Sequence, residues 1–358
     1  MRQCYLKGRY NRARYVDTYG LLSPTFTPGE LYVQSPDVLR TIQSAFSELM
    51  GLYPPGTDVL TDSWKTSLAL ATIPSMPFTV RDADKILATL ENSALPEAFE
   101  AIPVVNYEEG NLNNDANDSG CPAAWQNFLV TRELDETYAD WAYVFDSVRV
   151  PVAIAMNLDP LETQDDSIYV LQEYVDTLTS KRFDGHTDFK WTFTRHQEEM
   201  FDLVKPVQLG FAFTEPLRTL SASKILRKPL AILDYKVKRK LGTTGELSNL
   251  DQQRLFMYVA HDTQELNVLW WLKPSNREIP EPTEFASMIS FELFSSAECL
   301  AAAPSTECFA VELRANGKVL EFEGVCRDKG LCTYPEFMTY IGSIYYSGPH
   351  ADDLELAC

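Results

Sequence analysis

Residues 254–260 read RLFMYVA, with six apolar residues in succession from Leu255 to Ala260. A run of that length bounded by polar residues reads as a strand buried on both faces, the signature of a parallel sheet. The chain turns polar at His261-Asp262, and a helical pattern follows at once from about Thr263. Strand, short turn and helix in that order constrain the fold more than any other feature here. They require an α/β architecture in which helices cover a largely parallel sheet.

A second unit repeats the design. ELYVQS, residues 30–35, reads as a strand, and Val38, Ile42, Ala45, Phe46 and Leu49 follow at helical spacing. Ser35 is placed to cap that helix, with Pro36 at its first position and Asp37 in its first turn. Arg40 then lies one turn in, and Tyr53-Pro54-Pro55-Gly56 stops the helix. Residues 1–16 read as a helix rich in Arg and Tyr, and AIPVVNY, 101–107, as a further strand. From about 122 to 216 the pattern is mainly helical, consistent with a cap inserted between two parts of the core, 1–121 and 217–358. SASKILRKPLAILDYKVKRKL, 221–241, reads as a helix kinked or started by Pro229. SMISFELF is another strand, and FAVELRANGKVLEFE a hairpin about Asn316-Gly317. PEFMTYIGSIYY closes as a helix.

Charge narrows the function. The net charge is −20 and the pI about 4.6, so the surface repels nucleic acid and anionic membrane. One basic run departs from this: Lys224, Arg227, Lys228, Lys236, Lys238, Arg239 and Lys240. Such a run reads as a solvated helix face, with an anion-binding patch as the alternative. No stretch of 18 apolar residues occurs, so no membrane-spanning segment is expected, and the opening residues have no apolar core of a signal peptide.

The seven cysteines carry compartment information. Cys326 and Cys332 bracket one short loop and Cys299 and Cys308 another, while Cys4, Cys121 and Cys358 stand apart. No pair has zinc-site spacing, and short closed loops read as disulfides of an oxidising compartment. Asn117-Asp118-Ser119 is an acceptor triplet for glycosylation, in agreement with that compartment.

Both strand–helix units aim polar residues at the carboxyl edge of the sheet, where ligands of open α/β folds bind. Arg40, His261 and Asp262 would converge there. Arg offers phosphate a two-pronged donor, a helix N-terminus attracts anions, and a carboxylic acid can protonate a departing alkoxide. Two plainer roles compete: Asp262 as a helix cap and His261 as a satisfied core histidine. A metal-dependent His-Asp site would need further ligands, and His186, His196 and His350 are not spaced to supply them.

With these residues in view, the chain resembles the histidine acid phosphatases of the prostatic and lysosomal type. QCYLKGRYNRARYV resembles the helix after that family's first active-site segment. VQSPDVLRTIQSAFSELMGLYPP is similar to its second active-site unit, with the D-x-x-R-T run at Asp37 to Thr41. YVAHDT is similar to its His-Asp motif, and VCRDKGLCTYPEF to its C-terminal disulfide loop. The resemblance implies an α/β core with a helical cap and phosphomonoester hydrolysis through a phosphohistidine, with no metal or other cofactor. It implies that Arg40 and His261 hold the phosphate and that Asp262 protonates the leaving group. It pairs Cys326 with Cys332 and Cys121 with Cys358, leaving Cys299–Cys308 as a local bridge and Cys4 as a free thiol or intermolecular link. The partner implied is a small phosphomonoester, the assembly a homodimer as in many relatives, and the location extracellular or lysosomal.

The departure from the family is equally specific. Its nucleophile lies in R-H-G-x-R-x-P on the first strand, and no such motif occurs in these 358 residues. The chain begins at what resembles the following helix, so the expectation is an N-terminally incomplete sequence, inactive as it stands. Gln34 also stands where many relatives have Arg. The alternative is a catalytically inactive paralogue that binds phosphate or a phospholigand through Arg40, His261 and Asp262.

Overall fold

A computed structural model describes residues 1–57, 80–90, 95–108, 215–244, 248–277 and 283–358, with isolated positions at 93, 111, 121–122, 150 and between 176 and 185. Asn117, His186, His196 and most of the expected cap lie outside the described residues. The chain divides into two compact units, Met1–Asn117 with Ala231–His261, and Asp118–Leu230 with Asp262–Cys358.

The first unit is built on a parallel sheet. Strand β1 (Leu31–Pro36) lies between β2 (Val105–Tyr107) and β3 (Leu255–Tyr258). Gln34 is in register with Val105 on one side and Tyr258 on the other. The apolar run at 254–260 is less buried than its composition suggests. Met257 and Val259 are buried, while Leu255, Phe256 and Tyr258 are half-buried. The alternation means that one face of β3 meets the helices and the other does not meet that same core.

Two helices cover the inward face. Helix α1 (Arg2–Asn11) continues into wider π-type turns over Arg12–Thr18, so the single helix expected for 1–16 changes pitch after Asn11. Helix α2 (Leu39–Leu52) follows β1. Val33, Ala45, Leu49, Leu52, Met257 and Val259 form the core between helices and sheet. The helices touch backbone to backbone at Gly8 and Gly51, where a Cβ on either would fall about 2 Å from a carbonyl oxygen of the other. Alongside, the buried Glu48 carboxylate accepts from Asn11 Nδ2 at 2.8 Å and pairs with Lys7 Nζ at 2.9 Å. Arg12 Nη1 donates to the carbonyl of Leu52 at 2.9 Å, placing a cation on the negative end of α2.

Tyr53 closes this core with 4% of its surface exposed, and its hydroxyl has no hydrogen-bond partner among the described residues. Burial pushes its phenol up to about 12; the nearby Glu30 carboxylate adds to the rise and Arg12 opposes it. A raised folded value favours the neutral phenol. The stability it contributes is therefore full below the ordinary value of 10 and lost as pH climbs from 10 to about 12. Tyr53→Phe is expected to be as stable as the parent at pH 8 and more stable at pH 11, read from urea midpoints. Parallel losses in both proteins would show that Tyr53 does not ionise in that window.

Helix α3 (Ala83–Ala88) is short and exposed. Helix α4 (Glu215–Lys240) continues past Pro229, so the proline neither starts nor ends it. Five residues of its basic run have named acidic or carbonyl partners. Arg227 and Lys224 pair with Glu355, Lys238 with Asp234 and Arg239 with Asp251, while Lys236 donates to the carbonyls of Leu250 and Asp251. Lys238 and Lys240 remain exposed, in keeping with a solvated helix face.

The second unit holds an antiparallel sheet, β4 (Ile289–Ser295), β5 (Phe309–Ala315) and β6 (Lys318–Val319), with β7 (Cys332–Thr333) also paired to β5. The hairpin turns at Asn316 and Gly317, whose φ values of 51° and 77° are the two left-handed positions such a turn needs. Helix α5 (Asp262–Leu272) opens this unit, and α6 (Ala297–Ala302), α7 (Tyr334–Ile344) and α8 (Leu354–Ala357) follow. α7 begins with a capping box between Thr333 and Glu336. Trp271 Nε1 donates to Ile344 O at 2.7 Å, fixing α5 against α7. Disulfides join Cys299–Cys308, Cys326–Cys332 and Cys121–Cys358. Cys4 is a buried free thiol, which removes it from intermolecular bridging. Among the described residues no helix is long and apolar enough to cross a membrane.

Candidate active site

The site forms at the carboxyl edge of the parallel sheet. Val259 N–H donates to Gln34 O at 2.9 Å, and Asp37 N–H to Tyr107 O at 2.9 Å. These bonds bring the ends of all three strands to one edge. They also alter the expected start of α2. Pro36 stays in β1, in register with Tyr107, and does not open the helix. The helix begins at Leu39, with Val38 at the N-cap position and no side-chain cap. Arg40 is consequently in the first turn, closer to the sheet edge than the sequence implied. Among the described residues the first-turn N–H groups beside it have no side-chain cap from Val38, and Thr41 N–H donates to Val38 O at 3.0 Å.

Ser35, expected to be that cap, has a different task. It is fully buried, and its hydroxyl donates within 3.0 Å of Pro36 O and Thr41 Oγ1. Thr41 Oγ1 in turn donates to Val38 O at 2.8 Å. This hydroxyl pair braces the turn that carries Arg40. Thr41 stood in the D-x-x-R-T run, which was the available signal for it; nothing local marked Ser35 as a brace. Gln34, also fully buried, accepts from Tyr32 Oη at 2.9 Å.

Arg40 and His261 meet here. Arg40 Nη2 lies 3.4 Å from His261 Nδ1, at the long end of hydrogen-bond range. A guanidinium has no acceptor, so in this arrangement Nδ1 accepts and the imidazole proton resides on Nε2. Arg40 is exposed and His261 half-buried, so both can turn donors toward a bound anion. Asp262 follows His261 directly. It is exposed and opens α5; its Oδ1 accepts from Thr263 N–H at 3.0 Å, and its carbonyl accepts from Thr283 Oγ1 at 3.4 Å. One turn further in, Gln264 and Asn267 are buried polar residues that composition did not flag. Neither Asn267 side-chain atom has a hydrogen-bond partner among the described residues. His350 lies in the loop before α8 at a positive φ of 59°. Among the described residues no group of three or more His, Cys, Asp or Glu side chains could hold a metal ion.

The family model of the histidine phosphatase superfamily, branch 2, matches residues 1–316. The chain belongs to that superfamily. Arg40, His261 and Asp262 all lie within the matched residues of this histidine phosphatase superfamily chain; the Cys326–Cys332 loop lies beyond them. Among solved structures, a phytase from Citrobacter braakii is similar at a TM-score of 0.52 and 13% identity, aligned over 96% of this chain and 86% of that one. At that identity the likeness speaks to the fold: mixed α/β, with a parallel sheet and many helices.

Proposed function

We propose that this superfamily member is a phosphomonoester hydrolase of acid phosphatase type, in which Arg40 and His261 anchor the phosphate and Asp262 is the proton donor. The observation that carries the reading is the approach of Arg40 Nη2 to His261 Nδ1, 3.4 Å, at the carboxyl edge of the parallel sheet. A dianion entering there would draw charge-assisted hydrogen bonds from the guanidinium and from the imidazolium that its charge favours. When the ester P–O bond breaks, the leaving oxygen becomes an alkoxide, and the carboxylic acid of Asp262 gives it a proton. The phosphoryl group passes to a nucleophilic imidazole of the R-H-G-x-R-x-P type, which these 358 residues do not contain. The second reading, a phosphate- or phospholigand-binding protein without turnover, uses the same three residues. The three disulfides support an extracellular or lysosomal setting; a homodimer is part of the same proposal.

Two measurements test this. The 358-residue chain is expected to give no turnover of p-nitrophenyl phosphate at pH 5, and to bind orthovanadate in titration calorimetry. Turnover that vanishes in His261→Ala would require a different nucleophile. A folded chain that gives no heat with either vanadate or phosphate would end both readings.

A further inference from the structure

We propose that the outer edge of β4 is a docking site for an extended polypeptide strand, added antiparallel, with apolar residues at alternate positions and a cation opposite Glu292. Among the described residues β4 pairs with β5 alone, in a register that runs unbroken from Ile289↔Ala315 to Ser295↔Phe309. The bonds flanking the ladder fix its phase. Ser296 N–H donates to Cys308 O at 2.9 Å, and Asn316 N–H donates to Met288 O at 2.9 Å. Both pairs continue the β4–β5 register, so the positions of β4 bonded to β5 are Ser290, Glu292 and Phe294. The N–H and C=O groups of Ile289, Phe291 and Leu293 therefore point away from β5. A row of outward backbone groups is a template for one more strand. β4 reads ISFELFS and holds no proline, lysine or bulge, three of the devices that close an edge.

The two faces of that edge ask for different side chains. Ile289, Phe291 and Leu293 share a face with the buried Val311, Leu313 and Ala315, and Phe291 meets Phe337 of α7 with ring centroids 6.4 Å apart. A strand alongside continues this apolar layer with its own alternate residues. The other face carries Glu292, 8% exposed, directly across from Glu312. Arg314 Nε lies 2.7 Å from Glu312 and 3.9 Å from Glu292, so the guanidinium serves Glu312 first. A buried charge in an edge strand turns away a neighbour that does not answer it. A lysine or arginine directly opposite attracts it, and a carboxylate there repels it. A second copy would bring its own Glu292 and Glu312 to this face, on a chain of net charge −20. Charge at this edge thus selects a cation-bearing strand over self-pairing.

The probe is a synthetic peptide that alternates threonine with valine and carries one lysine in place of its central threonine, followed by fluorescence anisotropy. The folded parent protein is expected to bind it. In antiparallel pairing the valines stand opposite Ile289, Phe291 and Leu293, so the valine N–H groups face β4 and the threonine N–H groups face away. N-methylation of the valines is expected to weaken binding at least about tenfold, and N-methylation of the threonines to leave it within about twofold. Glutamate in place of the lysine should weaken binding about fivefold, and Glu292→Gln should erase that preference. Leu293→Pro removes one outward N–H, keeps the ladder to β5, and should abolish binding. No binding by the folded parent, or equal effects of the two methylations, overturns the proposal. A parent that sediments as a dimer and becomes monomeric in Leu293→Pro also overturns it, because a second copy then holds the edge.

Discussion

Arg40→Ala is expected to weaken orthovanadate binding by about ten- to hundredfold, the loss of one or two hydrogen bonds to a charged group. The side chain is exposed, and its described contact is the 3.4 Å approach to His261, so the variant should unfold within about 0.5 kcal/mol of the parent. That separation makes the result interpretable as a change of site and not of fold. Arg40→Lys is expected to recover only part of the affinity. A lysine keeps the charge but offers no planar fork, and one point contact cannot replace two directed bonds. Vanadate affinity unchanged in Arg40→Ala would remove Arg40 from the site and leave its position at the sheet edge without a functional account.

Gly8→Ala is expected to be the most damaging small substitution in the first unit. An ideal Cβ at Gly8 would stand 1.9 Å from Glu48 O and 2.9 Å from the Cα of Gly51. The reciprocal Cβ at Gly51 would stand 2.1 Å from Tyr5 O. These are backbone atoms, which cannot rotate aside as a side chain can. The two helices must separate, and separation pulls Lys7 and Asn11 away from the buried carboxylate of Glu48. Alanine favours a helix over glycine by about 1 kcal/mol, so propensity alone predicts a gain. Overpacking and a weakened buried ion pair oppose it by more, and the net loss should be on the order of 3 kcal/mol. Gly342→Ala is the matched control. It too lies in a helix, α7, but is exposed, with no atom near the added Cβ, so it should stabilise by up to about 1 kcal/mol. Urea midpoints of the three proteins decide the matter. A Gly8→Ala chain as stable as its parent would mean that α1 and α2 are not in contact at these glycines.

Damage at Gly8 should also reach the site. α2 carries Arg40 in its first turn and meets α1 at Glu48 and Gly51, so a displaced α2 moves the guanidinium. Weak vanadate binding in Gly8→Ala, with Arg40 intact, is the expected companion result.

What local sequence determined is what depends on neighbours along the chain. Turn chemistry placed the hairpin at Asn316-Gly317, because both positions need positive φ and both residues tolerate it. The period-2 pattern of FAVELRA became alternate burial of Phe309, Val311, Leu313 and Ala315. The strand–turn–helix order of two segments was enough to send Arg40 and His261 to one edge of a parallel sheet. What tertiary structure decided depends on partners far away in sequence. The start of α2 shifted from Pro36 to Leu39 because Asp37 N–H is claimed by Tyr107 O. Arg227 and Arg239 of the basic run in α4 took carboxylate partners, Glu355 and Asp251, that no local pattern could name. The approach of Arg40 to His261 bridges 221 residues, and the Cys121–Cys358 disulfide bridges 237. Propensity and periodicity report energies within a few turns of chain. A hydrogen bond or ion pair between segments depends on which surfaces the folded core brings together, and only the fold itself specifies that.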